Sequence, residues 1–101
     1  MHRRSWKRCE SRIAEIVGGR RIPVTGRKGA DVLTDRLAVE VKARKSLPAY
    51  LLAWIEQAEA GAPDGRLPIV VLHQAGRPHT DDLVMLRLSD FVEWLGGCTD
   101  E

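Results

Sequence analysis

Residues 36–44 read Arg-Leu-Ala-Val-Glu-Val-Lys-Ala-Arg, and no other stretch of the chain restricts its fold as much. Successive side chains of a strand point to opposite faces, so Leu37, Val39, Val41 and Ala43 share one face while Arg36, Ala38, Glu40, Lys42 and Arg44 share the other. A helix would scatter the same residues round its axis. The pattern predicts a strand over 36–44, with one face on a core and the other free to hold charged groups at fixed positions. A chain of 101 residues suffices for one such core and is short for two, so a single domain spanning 1–101 is expected.

The rest of the chain supplies partners for that strand. Trp6, Cys9, Ile13, Ile16 and Val17 recur at three- and four-residue spacing and predict an amphipathic helix from Ser5, an N-cap residue, to Val17, stopped by Gly18-Gly19. Glu10 falls at the edge of its inward stripe. Strands are expected over 20–24 and 30–34, separated by the loop Thr25-Gly26-Arg27-Lys28-Gly29 and followed by Asp35 as a turn residue. A second helix starts at Ser46-Leu47-Pro48 and runs to Gly61, with Tyr50, Leu51, Trp54 and Ala58 inward and Leu52 and Ile55 outside that face. The apolar run 67–73 predicts a central strand covered on both faces, 82–88 another, and Ser89 caps a last helix that Gly96-Gly97 stops. Trp6, Trp54 and Trp94 are expected to fill the core. The fold class is thus α/β, a mixed sheet flanked by helices in the order αβββαβ, with a further strand and a C-terminal helix.

Charge is unevenly spread. Residues 1–45 hold 13 Lys/Arg against 5 Asp/Glu and residues 46–101 hold 3 against 9, dividing the net +2 into +8 and −6. A basic half is the electrostatic footprint of phosphate binding, because most nucleic-acid affinity comes from cations on the backbone. Several other classes are disfavoured. No apolar run approaches the ~18 residues of a membrane span, and the basic N-terminus leads into an amphipathic pattern with Glu10 and Glu15 rather than an apolar signal region. Cys9 and Cys98 lie far apart without a CxxC partner, which supports neither a zinc site nor a disulfide framework and suits a reducing cytoplasm. His2, His73 and His79 lack the spacing of a metal-ligand motif, and His73 is expected as a partly buried structural residue.

Within the basic half sits an acidic cluster. Asp31 precedes Glu40 by nine residues, and a hairpin turning near Asp35 would bring the two carboxylates together. Carboxylates held close share a proton or bind a cation. Mg²⁺, or Mn²⁺, accepts one or two carboxylates and takes further oxygens from a substrate phosphate, which fits Asp31, Glu40 and one backbone carbonyl. Such an ion activates water and offsets charge developing on the phosphorus, and Lys42, on the face of Glu40, would orient the nucleophile or stabilise that charge.

Asp31 followed by Glu40-Val41-Lys42 resembles the PD-(D/E)XK nuclease signature, with Glu10 on a helix in front. The similarity is greatest to small archaeal-type Holliday junction resolvases and spans about residues 6–58: Cys9-Glu10-Ser11-Arg12, then Thr25-Gly26-Arg27-Lys28-Gly29-Ala30-Asp31, then Val39-Glu40-Val41-Lys42-Ala43-Arg44-Lys45. The resemblance implies a restriction-endonuclease-like core and a homodimer cutting branched DNA. It also implies that Asp31, Glu40 and the Val41 carbonyl ligate the metal, that Lys42 assists the attacking water, and that Glu10 completes the acidic site. Thr25, Arg27, Lys28, Arg44 and Lys45 are the expected DNA contacts, and Gln57 is similar in place to polar helix residues near such sites. Ala30 stands where the signature has proline, and the chain is shorter than typical resolvases.

Alternatives remain for these residues. Glu40 and Lys42 also fit a solvated strand face, Glu10 an ion pair with Arg20 or Arg21, and Gln57 an ordinary helix surface. The same chemistry would serve on nicks, flaps or plain duplex, and a non-catalytic DNA-binding accessory protein would use the basic half without the acidic triad. An RNA-binding module would need exposed aromatic residues for base stacking, a pattern the sequence lacks.

Overall fold

The computed structural model describes residues 3–23 and 29–96, with side chains from Trp6 onward. They form a mixed α/β structure of three helices and two small antiparallel sheets, in two compact units. One unit comprises the described residues of Met1–Lys45 and Leu95–Glu101, the other Ser46–Trp94.

In the first unit, helix α1 (Arg3–Val17) is followed by strands β1 (Arg20–Arg21), β2 (Val32–Leu33) and β3 (Ala38–Val39), which pair antiparallel in that order. The helix begins upstream of Ser5, the expected cap. It ends as foreseen: Gly18 adopts φ 75°, and the amides of Gly18 and Gly19 donate to the carbonyls of Glu15 (3.3 Å) and Ala14 (2.8 Å), which closes a Schellman motif. A Cβ on Gly19 would collide with the Leu33 carbonyl oxygen and the Thr34 methyl, so glycine here lets the chain leave the helix hard against β2. Ala14 and Val17 are buried against Val32, Cys9, Glu10 and Ile13 are half-buried, and Trp6 and Ile16 stay exposed.

The β2–β3 connection turns on Thr34 rather than on the side chain of Asp35. The Thr34 hydroxyl accepts hydrogen bonds from the amides of Arg36 (3.1 Å) and Leu37 (2.9 Å), while its amide donates to the Leu37 carbonyl (3.0 Å). Register follows from that turn, with Val32 opposite Val39 and Leu33 opposite Ala38. The ladder proper covers only Ala38–Val39, shorter than the expected 36–44. The alternation nonetheless persists along the whole stretch: Leu37, Val39, Val41 and Ala43 are half-buried, and Arg36, Ala38, Glu40, Lys42 and Arg44 are exposed.

In the second unit, helix α2 (Ala49–Gly61) starts one residue after Pro48, which takes the N-cap position with extended backbone and no side-chain cap. Strands β4 (Val70–Leu72) and β5 (Leu83–Met85) form a two-stranded antiparallel ribbon joined through a 3₁₀ turn at His79–Asp81, and helix α3 (Leu88–Trp94) follows. Three expectations change here. Among the described residues the sheets are two and wholly antiparallel, not one mixed sheet, because β4 finds its partner in the β5 hairpin. Val71 is exposed, so β4 is not covered on both faces. On α2, Ile55 is the buried residue, whereas Tyr50 and Trp54 lie on the surface and pack on each other with ring centroids 5.0 Å apart. Trp6 and Trp94 are exposed too, so the three tryptophans do not fill the core. Arg87 clamps this unit with a two-pronged ion pair to Glu59 on α2 (Nε to Oε2 2.8 Å, a second guanidinium nitrogen to Oε1 3.2 Å). The hydrogen bonds that the Arg87 guanidinium donates to Glu59, and the charge of that carboxylate, hold Arg87 above its ordinary pKa.

Among the described residues, no helix is long and apolar enough to cross a membrane.

Candidate active site

The hairpin brings Asp31 to the segment that carries Glu40 and Lys42. The β2–β3 ladder ends at Val32 and Val39, and Asp31, at a bend just before β2, sits against the same Val39 as a bulge would place it. Backbone bonds hold Asp31 on both sides: its amide donates to the Val39 carbonyl (2.8 Å), and its carbonyl accepts from the Ile22 amide (2.9 Å). Its carboxylate oxygen Oδ2 accepts the amide hydrogen of Val41 at 2.7 Å, the short distance of a charge-assisted bond. Asp31 is thereby anchored to the peptide that joins Glu40 to Val41. Once the Val41 amide points at Asp31, that residue has no further ladder partner, which is one reason β3 stops at Val39.

Glu40 and Lys42 share a face, and Lys42 Nζ lies 3.0 Å from Glu40 Oε2. With side chains 55% and 68% exposed, respectively, the pair is worth roughly 0–1 kcal/mol and either group is free to turn to a ligand. The segment thus offers two carboxylates, an ammonium and the Val41 carbonyl within a few residues of one hairpin. Such oxygen donors suit a hard divalent cation, and the neighbouring ammonium suits an anion held beside it.

Glu10 is engaged elsewhere in the same unit. Its Oε1 accepts from Arg21 Nε at 2.8 Å, and the two side chains are only 13% and 23% exposed. The pair ties α1 to β1, which is the structural alternative for this residue. Glu10→Ala would strand the Arg21 charge at a partly buried position, so a loss of about 1–3 kcal/mol is expected by denaturant unfolding. Glu10→Gln, which keeps an acceptor, would cost less. A stability unchanged in Glu10→Ala would show that the pair holds nothing together.

Arg44 and Lys45 follow on the chain and are exposed, and Arg44 donates to the Ala43 carbonyl at 3.0 Å. The indole N–H of Trp6 reaches that same carbonyl at 3.4 Å, linking α1 to the segment after Lys42. Thr25, Arg27 and Lys28 lie outside the described residues. Gln57 is exposed on α2 in the other unit, in a groove with Tyr50, Trp54 and Val71. Sequence spacing gave no reason to join His73, His79 and Asp82, yet the second unit brings their side chains together. No family model, curated protein or solved structure matches this chain.

Proposed function

We propose that this chain is a metal-dependent endonuclease of the PD-(D/E)XK kind that hydrolyses DNA phosphodiester bonds and resolves branched DNA such as Holliday junctions. The observation that carries the reading is the hydrogen bond that ties the Asp31 carboxylate to the Val41 amide, with Glu40 and Lys42 on either side of Val41 and Lys42 on the Glu40 carboxylate. The chain order α1-β1-β2-β3-α2-β4 is also that of an αβββαβ core, and a restriction-endonuclease-like arrangement of one domain over 1–101 is part of the proposal.

Asp31, Glu40 and the Val41 carbonyl are the donors for Mg²⁺ or Mn²⁺. Bound there, the ion supplies Lewis-acid polarisation of the scissile phosphate and charge neutralisation. The protein's own groups do the rest. The Val41 amide fixes the Asp31 carboxylate, so one donor is positioned before substrate arrives. Lys42 places a compact positive charge beside the reacting phosphate and orients the attacking water. Glu10, held by Arg21, completes the acidic set. Thr25, Arg27, Lys28, Arg44 and Lys45 contact the DNA backbone, and Gln57 is a further polar contact. A homodimer would let two sites meet two strands, and exposed Leu52, Val71, Leu83 and Val84 are apolar surface of the type that subunit contacts cover.

Incubation of the purified protein with four-way junctions, flaps, nicked and plain duplex, in Mg²⁺ or chelator, tests the whole reading. Metal-dependent cutting with preference for the junction is expected. Binding without cutting of any substrate would leave a non-catalytic accessory role, and preference for flaps, nicks or duplex would reassign the substrate. Affinity is expected to fall steeply with salt. Replacing Arg27, Lys28, Arg44 and Lys45 by alanine should flatten the slope of log affinity against log salt by about 0.9 for each phosphate that is no longer neutralised. An unchanged slope would mean that DNA lies on another surface.

A further inference from the structure

The second unit gathers two imidazoles on one carboxylate. Asp82 Oδ1 lies 2.7 Å from His73 Nδ1, and Asp82 Oδ2 lies 3.0 Å from His79 Nδ1. The rings stack at a centroid distance of 4.1 Å with 28° between their planes, and donor atoms of all three residues lie within 4.8 Å of one another. Secondary structure builds this grouping. Leu72 pairs with Leu83, so the same register one step on sets His73 opposite Asp82 at the end of the β4–β5 ribbon where its connection begins. The 3₁₀ turn at His79–Asp81, closed by the Asp82 amide on the His79 carbonyl (3.0 Å), brings the third member back over the pair.

Charge and chemistry then point to a cation. The Asp82 side chain is only 12% exposed, and both its oxygens face imidazole nitrogens. Both contacts are at hydrogen-bond distance, and a cation between the carboxylate and the rings would take the place of these bonds. Bonds of 2.0–2.2 Å from one tetrahedral ion would set neighbouring donors about 3.3–3.6 Å apart, so seating an ion requires the 2.7 and 3.0 Å contacts to open by about half an ångström, which the exposed imidazole side chains can do. Two imidazoles and one carboxylate suit zinc-class ions rather than the hard, oxygen-seeking Mg²⁺. We propose that His73, His79 and Asp82 form a binding site for a zinc-class dication that pins the β4–β5 ribbon to its connecting turn, with one coordination position left for solvent. Coordination through Nδ1 needs each neutral ring to carry its proton on Nε2, an exchange that water permits at these exposed rings. The site shares no residue with Asp31, Glu40 and Lys42, so it stands or falls apart from the nuclease reading.

The test uses the full-length, tag-free, metal-free protein, titrated with Zn²⁺ by calorimetry and with Co²⁺ by visible absorption. One equivalent of Zn²⁺ is expected to bind and to raise the thermal midpoint, with Co²⁺ giving the bands of low coordination number. His79→Ala, at a side chain 82% exposed and therefore harmless to folding, should weaken Zn²⁺ at least tenfold, as should Asp82→Asn. Asp31→Asn with Glu40→Gln should leave Zn²⁺ binding unchanged. Absence of stoichiometric Zn²⁺ binding would overturn the proposal, and so would parental affinity in His79→Ala or loss of the ion on replacing Cys9 or Asp31 instead.

Discussion

Asp31→Asn and Glu40→Gln are each expected to slow DNA cleavage at least about 10³-fold, and the double variant to cut no junction above background, while both variants fold. A divalent ion at a reacting phosphate contributes several kcal/mol to the transition state, and each 1.36 kcal/mol is tenfold in rate. Losing either carboxylate forfeits most of that. Stability should barely change, for reasons that differ between the two positions. The side-chain oxygen introduced by Asp31→Asn can still accept the Val41 amide hydrogen, and Glu40 gives up only an exposed ion pair with Lys42. Where two carboxylates serve one site, removing one charge also relieves repulsion. The unfolding free energy should therefore change by less than about 1 kcal/mol, measured in metal-free buffer. Cleavage by the folded double variant above a tenth of the parental rate would remove Asp31 and Glu40 from the chemistry.

What the sequence disclosed about this hairpin, and what it withheld, have physical causes. Alternation over 36–44 was legible because one cause, the two-residue period of an extended chain, sets both the pattern of residue types and the pattern of burial. The nearness of Asp31 to Glu40 was legible only as a consequence of a hairpin. Its register depends on the four-residue turn that Thr34 organises, and a hydroxyl bonding two amides leaves no periodic trace. The anchor from Val41 to Asp31 was hidden entirely, since a backbone donor has no letter in the sequence. On α1 the apolar stripe pointed to Trp6 and Ile16, but these two stay exposed and Ala14 and Val17 are the buried residues.

The second unit shows the limits of hydrophobic pattern more sharply. The apolar run 67–73 carries the signature of a strand covered on both faces, yet a run of that kind cannot distinguish a central strand from one side of a two-stranded ribbon. The inward face of α2 departs from its periodicity for a related reason. Helix periodicity gives weight to large residues, and Tyr50 and Trp54 outweigh Ile55 in size, although they can satisfy each other at the surface through their own contact. His73 and Asp82 are nine apart in sequence and meet only because Leu72 pairs with Leu83, so no spacing rule for metal ligands would have joined them.

Lys42→Ala is expected to bind four-way junctions nearly as the parent does and to cut them about 10²-fold to 10³-fold more slowly in single turnover. The contact of Lys42 Nζ with Glu40 Oε2 at 3.0 Å sets its charge at the carboxylate proposed to hold the metal, whereas Arg44 and Lys45 are simply exposed cations further along the chain. A charge that acts on the reacting phosphate or the attacking water contributes mainly in the transition state, so its loss appears in rate and scarcely in affinity. Lys42→Arg should fail almost as badly. A planar guanidinium keeps the charge but spreads it over a fork that cannot occupy the place of a compact ammonium. The contact also allows a second role, in which Lys42 merely steers Glu40 to the ion. The two roles separate on metal concentration: a steering defect weakens metal affinity and is recovered at saturating Mg²⁺, while a defect in transition-state charge persists there. The slow rate of Lys42→Ala should therefore be independent of Mg²⁺ once the parent is saturated. Recovery to the parental rate at high Mg²⁺ would make Lys42 a positioning residue, and a parallel fall of binding and cutting would make it a phosphate contact.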